Sequence, residues 1–435
     1  MLLMPAISSY PDAINYLYSL ERFGIRMGLK RIKTLLKLLK DPHKKFPVIH
    51  IAGTNGKGST SAIIASILHE AGYKVGLYTS PHLVRFNERI KINGEEISDE
   101  RIEELVSKIK EKIESSPSSV KSILASPTFF EFTTTLAFLY FAERMVDIAV
   151  VEAGLGGRLD ATNVCAPIVS IITNIAREHE DILGKGIENI AAEKAGIIKR
   201  GGVLVTASRD KRALQVFQDT CSKREAKIYQ LGMDFKIRRS RGGFSFEGMK
   251  WHLKNLRLNL AGRFQYVNAS LSLFGLEIID GNRFKITEGA VKKGLENVRL
   301  RGRLDVISRR PLVILDCAHN PSGAKILRDS ILKEFNYKRL ILVVGIMADK
   351  DIKGFFSYLA PAADMVILTV PHTPRAANID ILLPAAKSFA KNIIVSKDVK
   401  KAYSMAKSMT GGDDLVCVTG SFHTVGEVMN ICQQE

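Results

Sequence analysis

Apolar residues near the start of the chain recur at helical spacing: Ile14, Leu17 and Leu20, then Ile32, Leu35, Leu36 and Leu39, with Asp41-Pro42 closing the run. The spacing predicts two amphipathic helices. Beyond them the period shortens. The β-branched runs PVIHIAG, VGLYTS, DIAVVEAG, IVSIITNI and VLVTAS alternate with helix-like segments, which predicts a doubly wound, mostly parallel sheet. From about Ala226 to Leu260 short alternating pieces surround Arg241-Gly242-Gly243 and Glu247-Gly248, the pattern of antiparallel hairpins at the edge of this domain. A helical stretch from Tyr266 to about Gly294 follows. A second α/β series then begins near Arg299-Leu300-Arg301-Gly302-Arg303, with the runs LVILDCA, LILVVGI, MVILTV, NIIVSK and LVCVTGS. The expected organisation is α/β in two domains, residues 1–298 and 299–435.

Composition narrows the class. With 435 residues, 46% hydrophobic and 25% charged, the chain can bury more than one core. No apolar run reaches the roughly 20 residues that span a bilayer, and the start MLLMPAISSYPDAINYL lacks a basic segment ahead of an apolar one, so a cytoplasmic protein without a membrane partner is expected. The five cysteines are scattered and sit mostly in apolar runs, which predicts buried thiols rather than disulfides or a CxxC metal site. A formal net charge of +18 admits nucleic acid, an anionic membrane or small polyanions. The basic residues are dispersed, with no run of five or more, and this weighs against nucleic acid.

One segment carries distinctive chemistry. In VIHIAGTNGKGSTSA the stretch Gly53-Thr54-Asn55-Gly56-Lys57-Gly58-Ser59-Thr60 departs from G-x-x-x-x-G-K-[ST], because Gly53 is three residues before Gly56 and Gly58 separates Lys57 from Ser59. Its position is nevertheless that of a phosphate loop, after a buried strand and before the helical run Thr60–Leu68. Amides at a helix N-terminus attract anions, glycines let the backbone approach phosphate, Lys57 neutralises oxygens, and Ser59 or Thr60 offers a hydroxyl to Mg²⁺. Glu152, ending DIAVVE, is the candidate second metal acid. The following Gly154-Leu155-Gly156-Gly157 could also be a dinucleotide turn, but it lacks the third glycine in place.

Together GTNGKGS, EAGLGGRLDATN, TNIAREHEDILG and IAAEKAGIIK resemble the folylpolyglutamate synthase and dihydrofolate synthase family of the Mur ligase superfamily, and the resemblance runs from the GLKRI segment near Gly28 to GSFHTVGEV. It implies a P-loop-type ATPase domain with a mostly parallel sheet and a small antiparallel sheet, then a Rossmann-like α/β domain. The implied activity is ATP-dependent joining of L-glutamate to the carboxylate of a folate, and of dihydropteroate in bifunctional members, through an acyl phosphate. It further implies Mg²⁺ at two sites, with K⁺ as a further candidate ion, and a monomer. By resemblance Thr54, Asn55, Gly56, Lys57, Gly58, Ser59 and Thr60 form the ATP loop, and Ser80 joins Ser59 and Glu152 at one metal. His179 serves the second metal, where the chain reads Arg177-Glu178-His179-Glu180 in place of the more usual L-D-H-T. Lys194 matches a lysine that is carbamylated in relatives, so that Lys57, Glu152, His179 and Lys194 are the implied catalytic set. Asn268, Arg303 and Asp316 match residues at the nucleotide. The folate and glutamate side falls to Pro81, His82, Arg85, Thr128, Phe129, Phe130, His319 and Ser421.

Two other readings remain at this level. Another amide ligase of the same architecture would normally carry an additional N-terminal domain, whereas about 50 residues precede the loop here. A nucleic-acid-dependent NTPase would need its hydrolysis stimulated by DNA or RNA and its binding steeply salt-dependent.

Overall fold

The computed structural model describes residues 7–125, 127–240, 242–281 and 283–434. Arg241 of the expected turn lies outside them. Two compact units emerge, one of Met1–Pro81, Phe86–Asn259 and Tyr266–Val298, the other of His82–Arg85, Leu260–Gln265 and Arg299–Glu435.

In the first unit α1 (Tyr10–Ser19) starts at Ser9, whose hydroxyl accepts from the Asp12 amide, and α2 (Lys30–Leu38) follows. They bury Leu17, Ile32, Leu35 and Leu36, the stripe the spacing predicts. Fully burying one such leucine or isoleucine contributes about 2 kcal/mol. Their core is shared with the helix Phe129–Glu143, which opens on a capping box between Thr128 and Glu131.

The sheet of this unit holds β1 (Val48–Ala52), β2 (Val75–Tyr78), β3 (Ile90–Ile92), β4 (Glu95–Glu96), β5 (Ile148–Glu152), β6 (Pro167–Ile172), β7 (Val203–Thr206) and β8 (Lys227–Gln230). Its order is β4-β3-β2-β5-β1-β6-β7-β8, parallel except where β3 and β4 add antiparallel pairs. β1 and β5 lie side by side at the centre with every residue buried, because helices cover both faces of a parallel sheet. Between β1 and β2 runs α3 (Lys57–Glu70), which begins three residues earlier than the apolar run suggests and so takes Lys57, Gly58 and Ser59 into its first turn.

Two local expectations are corrected. Residues 227–230 form a parallel edge strand of the main sheet, since β8 pairs with β7, and the antiparallel hairpins start only afterwards. They make a separate three-stranded sheet of β9 (Lys236–Ser240), β10 (Gly243–Glu247) and β11 (His252–Leu256). The stretch 266–294 is two helices, Gln265–Ile279 and Glu288–Asn297, because Asp280-Gly281 turns the chain: the Asp280 carboxylate accepts from the Ile286 amide at 3.0 Å.

The second unit has β12 (Asp305–Arg309), β13 (Leu312–Leu315), β14 (Leu340–Val344), β15 (Met365–Leu368), β16 (Ile393–Val395) and β17 (Leu415–Thr419), in the order β12-β13-β17-β14-β15-β16. The last five are the runs read from the sequence, and β12 adds an antiparallel edge. Leu83 and Val84 pack on one face of this sheet with Val313, Val416 and Val425. No helix among the described residues is long and apolar enough to cross a membrane. All five cysteines are free thiols, four of them buried.

Candidate active site

The glycine loop is held by the end of β6 as well as by its own strand. Thr54 donates its amide to the Asn174 carbonyl at 2.9 Å, Asn55 donates its amide to Asn174 Oδ1 at 2.9 Å, and Thr173 Oγ1 donates to the Asn55 carbonyl at 2.7 Å. Thr54 Oγ1 also bonds both the amide and the carbonyl of Ala176. Two glycines sit at positive φ where a side chain would also have to displace a neighbour. Gly53, at φ +145°, has Thr173 Oγ1 only 1.8 Å from where a Cβ would stand, and Gly56, at φ +88°, has Asn268 Oδ1 at 2.4 Å. Asn268 is therefore brought onto the loop from the helix Gln265–Ile279, which also docks on α3 where Ser272 Oγ donates to the Thr60 carbonyl.

Lys57 curls back over its loop, its Nζ donating to the carbonyls of Gly53 at 3.1 Å and Thr54 at 3.2 Å. The buried Lys194 Nζ donates to the same Gly53 carbonyl at 2.8 Å. Burial, and then the Lys57 ammonium, push the Lys194 pKa down to about 7, against the opposing pull of Glu178 and Asp160. Lys194 lies in the helix Ile187–Ala195 and is buried, unlike the solvated position that a helical lysine ordinarily takes.

Glu152 ends β5 at 4% exposure. Its Oε2 accepts from the Ser80 amide at 3.4 Å and lies 3.5 Å from where a Gly58 side chain would begin, so the carboxylate overhangs the first turn of α3 beside Ser59. These are hard oxygen donors of the kind Mg²⁺ selects. Thr60, by contrast, is fully buried, and its Oγ1 has no hydrogen-bond partner. His179 stands just ahead of the short helix Glu180–Leu183 at φ +53°, with Nε2 3.7 Å from Glu178 Oε1. Among the described residues no three His, Cys, Asp or Glu side chains gather as a metal cluster.

The loop after β5 is organised by an acid that the sequence reading passed over. Buried Asp160 accepts from the amides of Leu155 and Thr162, both at 2.9 Å, and Thr162 Oγ1 in turn meets His50 Nε2 of β1 at 2.8 Å. Burial raises the Asp160 pKa and lowers that of His50 to about 3, so the imidazole stays neutral. Asp160 and the Thr173-Asn174 pair were legible only as small polar residues closing apolar strands or flanking glycines.

Thr128 is committed to its capping box. Glu131 also receives Arg31 Nε at 3.0 and 2.9 Å, tying α2 to this helix. Phe129 stacks on Tyr18 at 5.8 Å with the Arg89 guanidinium 5.2 Å from its ring, and Phe130 lies against Gly154. Both rings are half-buried. Pro81 is exposed at the end of the first segment of the first unit, while His82 and Arg85 belong to the second.

Within the second unit the predicted residues meet at the ends of β13 and β17. Asp316 accepts from the Leu304 amide at 2.9 Å and the Ala318 amide at 2.8 Å, and burial raises its pKa against the pull of the Arg303 guanidinium. Arg303 lies 4.9 Å over the Phe422 ring, with the His319 ring 5.9 Å from it on centroids. His319 Nδ1 bonds the Cys317 carbonyl at 2.8 Å. Asn320 caps the helix Pro321–Glu334, and the Ser421 hydroxyl accepts from the Thr424 amide at 3.0 Å.

Comparison with known proteins places the chain in a family. Residues 51–275 match the Mur ligase middle domain, and residues 302–422 match the Mur ligase, glutamate ligase domain. A dihydrofolate synthase/folylpolyglutamate synthase of Bacillus subtilis is 37% identical over 97% of this chain and 98% of its own. Among solved structures, Escherichia coli FolC in complex with DHPP and ADP superposes with TM-score 0.90 at 32% identity, covering 99% of both chains. The bifunctional folylpolyglutamate synthase/dihydrofolate synthase of Yersinia pestis, complexed with AMPPNP and Mn ion, gives 0.88 at 32% identity over 99% of this chain and 100% of the other. A glycine loop on α3, an acid on the neighbouring strand and a second α/β unit thus define an ATP-dependent ligase of the Mur type. The chain belongs to the dihydrofolate synthase/folylpolyglutamate synthase family.

Proposed function

We propose that this chain uses ATP to join the amino group of L-glutamate to the carboxylate of a folate, and that it accepts dihydropteroate as well. The observation that carries the reading is the glycine loop at the N-terminus of α3, where Lys57 and Lys194 converge on the Gly53 carbonyl and the Glu152 carboxylate faces Gly58, a cradle for a triphosphate. A carboxylate is a poor acyl donor at neutral pH. Transfer of the γ-phosphoryl group to a carboxylate oxygen releases ADP and leaves an acyl phosphate. The glutamate nitrogen then attacks the acyl carbon, the C–N bond forms, and the C–O bond to phosphate breaks. Such chemistry is mostly positioning and charge neutralisation, which Lys57 provides at the phosphates.

Ser59, Ser80 and Glu152 would hold Mg²⁺, with His179 and a carbamylated Lys194 at a second ion. The ions, when bound, supply charge neutralisation at the phosphate oxygens. Thr54, Asn55, Asn268, Arg303 and Asp316 are assigned to the nucleotide. His82, Arg85, Thr128, Phe129, Phe130, His319 and Ser421 are assigned to the folate and glutamate. Residues 1–298 and 299–435 are proposed as the functional domains of a cytoplasmic monomer.

The test is ATP-dependent incorporation of labelled L-glutamate, run separately with tetrahydrofolate and with dihydropteroate. Amide product from both acceptors is expected. ATP hydrolysis that depends on added nucleic acid, without amide product, would overturn the reading.

A further inference from the structure

A cavity of about 380 Å³ lies in the first unit just past the C-terminal end of the helix that carries Lys194. Five of its nine lining residues are cationic, namely Lys33, Arg158, Lys199, Arg200 and Arg224, and none is acidic. Two acids stand behind this lining. Glu193 holds Arg158 at 2.7 Å and Glu225 holds Arg200 at 2.5 Å, which leaves three formal positive charges in excess, five cations less two acids.

The backbone oxygens that would repel an anion here are already engaged. Arg224 Nη1 donates to the carbonyls of Gly196 and Ile198, and Lys199 Nζ donates to the Asn163 carbonyl at 2.9 Å and to Asn163 Oδ1 at 2.8 Å. Lys33 of α2 and Arg224 are near enough to Lys199 to push its pKa down further, after the larger effect of burial. Crowding like charges around a recess costs free energy that a bound anion would remove.

We propose that this recess is a binding site for a small polyanion carrying carboxylate or phosphate groups, separate from the glycine loop. The anion site stands on these side chains, and only the choice of a γ-linked glutamate chain as one source rests on the folate reading. Two sources share the chemistry: free inorganic phosphate, and the carboxylates of a γ-linked glutamate chain. Arginine forks suit either oxyanion.

The experiment is calorimetric titration of the full chain, loaded with AMPPNP and Mg²⁺ so that the glycine loop is filled, with inorganic phosphate in one arm and tri-γ-L-glutamate in the other. Lys33→Glu and Arg200→Glu are the variants, both at exposed positions. Saturable binding of either probe, weakened on the order of tenfold by each charge reversal and by added salt, is the expected result. Tighter phosphate identifies the free anion as the source, and tighter peptide identifies the glutamate chain. Circular dichroism and thermal melting of the variants matching the parent would exclude misfolding as the cause of weaker binding. No saturable binding in either arm, or affinities that the reversals leave unchanged, would overturn the proposal. Because binding is read without turnover, a failed glutamate-incorporation assay would not bear on it.

Discussion

Lys57 and Lys194 share one acceptor: both ammonium nitrogens reach the carbonyl oxygen of Gly53, at 3.1 and 2.8 Å. Burial of Lys194 disfavours its charge, and the Lys57 ammonium nearby disfavours it further. The Lys194 pKa of about 7, against the ordinary 10.5, has consequences that can be measured.

Stability is the first. Between pH about 7 and 10.5 the unfolded chain binds a proton at Lys194 that the folded chain has released, so folding stability from this group rises with pH across that window and is lowest below it. The total is on the order of a few kcal/mol. Lys194→Met should flatten this part of the stability curve, as measured by urea unfolding at several pH values in buffer free of carbon dioxide.

With a pKa of about 7, a large share of Lys194 is neutral at pH 7, and a neutral amine is a nucleophile toward dissolved CO₂. In ¹³C-bicarbonate buffer the parent should show a carbamate carbon by NMR that Lys194→Ala lacks. Turnover of Lys194→Ala should fall by about 10² to 10³ with the far-UV spectrum unchanged. Parent-like activity in that variant would remove Lys194 from the chemistry.

The loop itself can be probed through its backbone. Gly56→Ala places a methyl where Asn268 Oδ1 stands and imposes a left-handed φ on alanine. A cost of about 1–3 kcal/mol is expected, with loss of fluorescent ATP-analogue binding. A variant that binds nucleotide like the parent would mean that Asn268 can retreat at little cost.

Glu131 serves the helix cap and Arg31 together. Glu131→Gln removes the charge-assisted pair and should lower unfolding free energy by about 2 kcal/mol. Glu131→Ala should lose more than Glu131→Gln, because glutamine can still close the capping box and alanine cannot. Equal losses would show that the cap contributes nothing.

How far the chain could be read from its sequence follows from burial. β1, β5, β14 and β17 were legible because strands covered on both faces are continuous apolar runs. β12, reading Asp305-Val306-Ile307-Ser308-Arg309, is a half-exposed edge and gave no such run. The Asp280-Gly281 break escaped notice because apolar residues continue on both sides of it. At the candidate site the glycines and Lys57 announced themselves, and the family motifs pointed to Lys194. Its burial did not show, because that depends on which loop the helix Ile187–Ala195 lies against. Thr173 and Asn174 were hidden for a similar reason: their partners are more than a hundred residues earlier in the chain.

The buried link from His50 through Thr162 to Asp160 joins the central strand to the glycine-rich segment after β5. A surface loop anchored in this way should not breathe independently. Deuterium should enter the Leu155 and Thr162 amides about as slowly as it enters β1, making that segment part of the most slowly exchanging nucleus of the molecule rather than of its periphery.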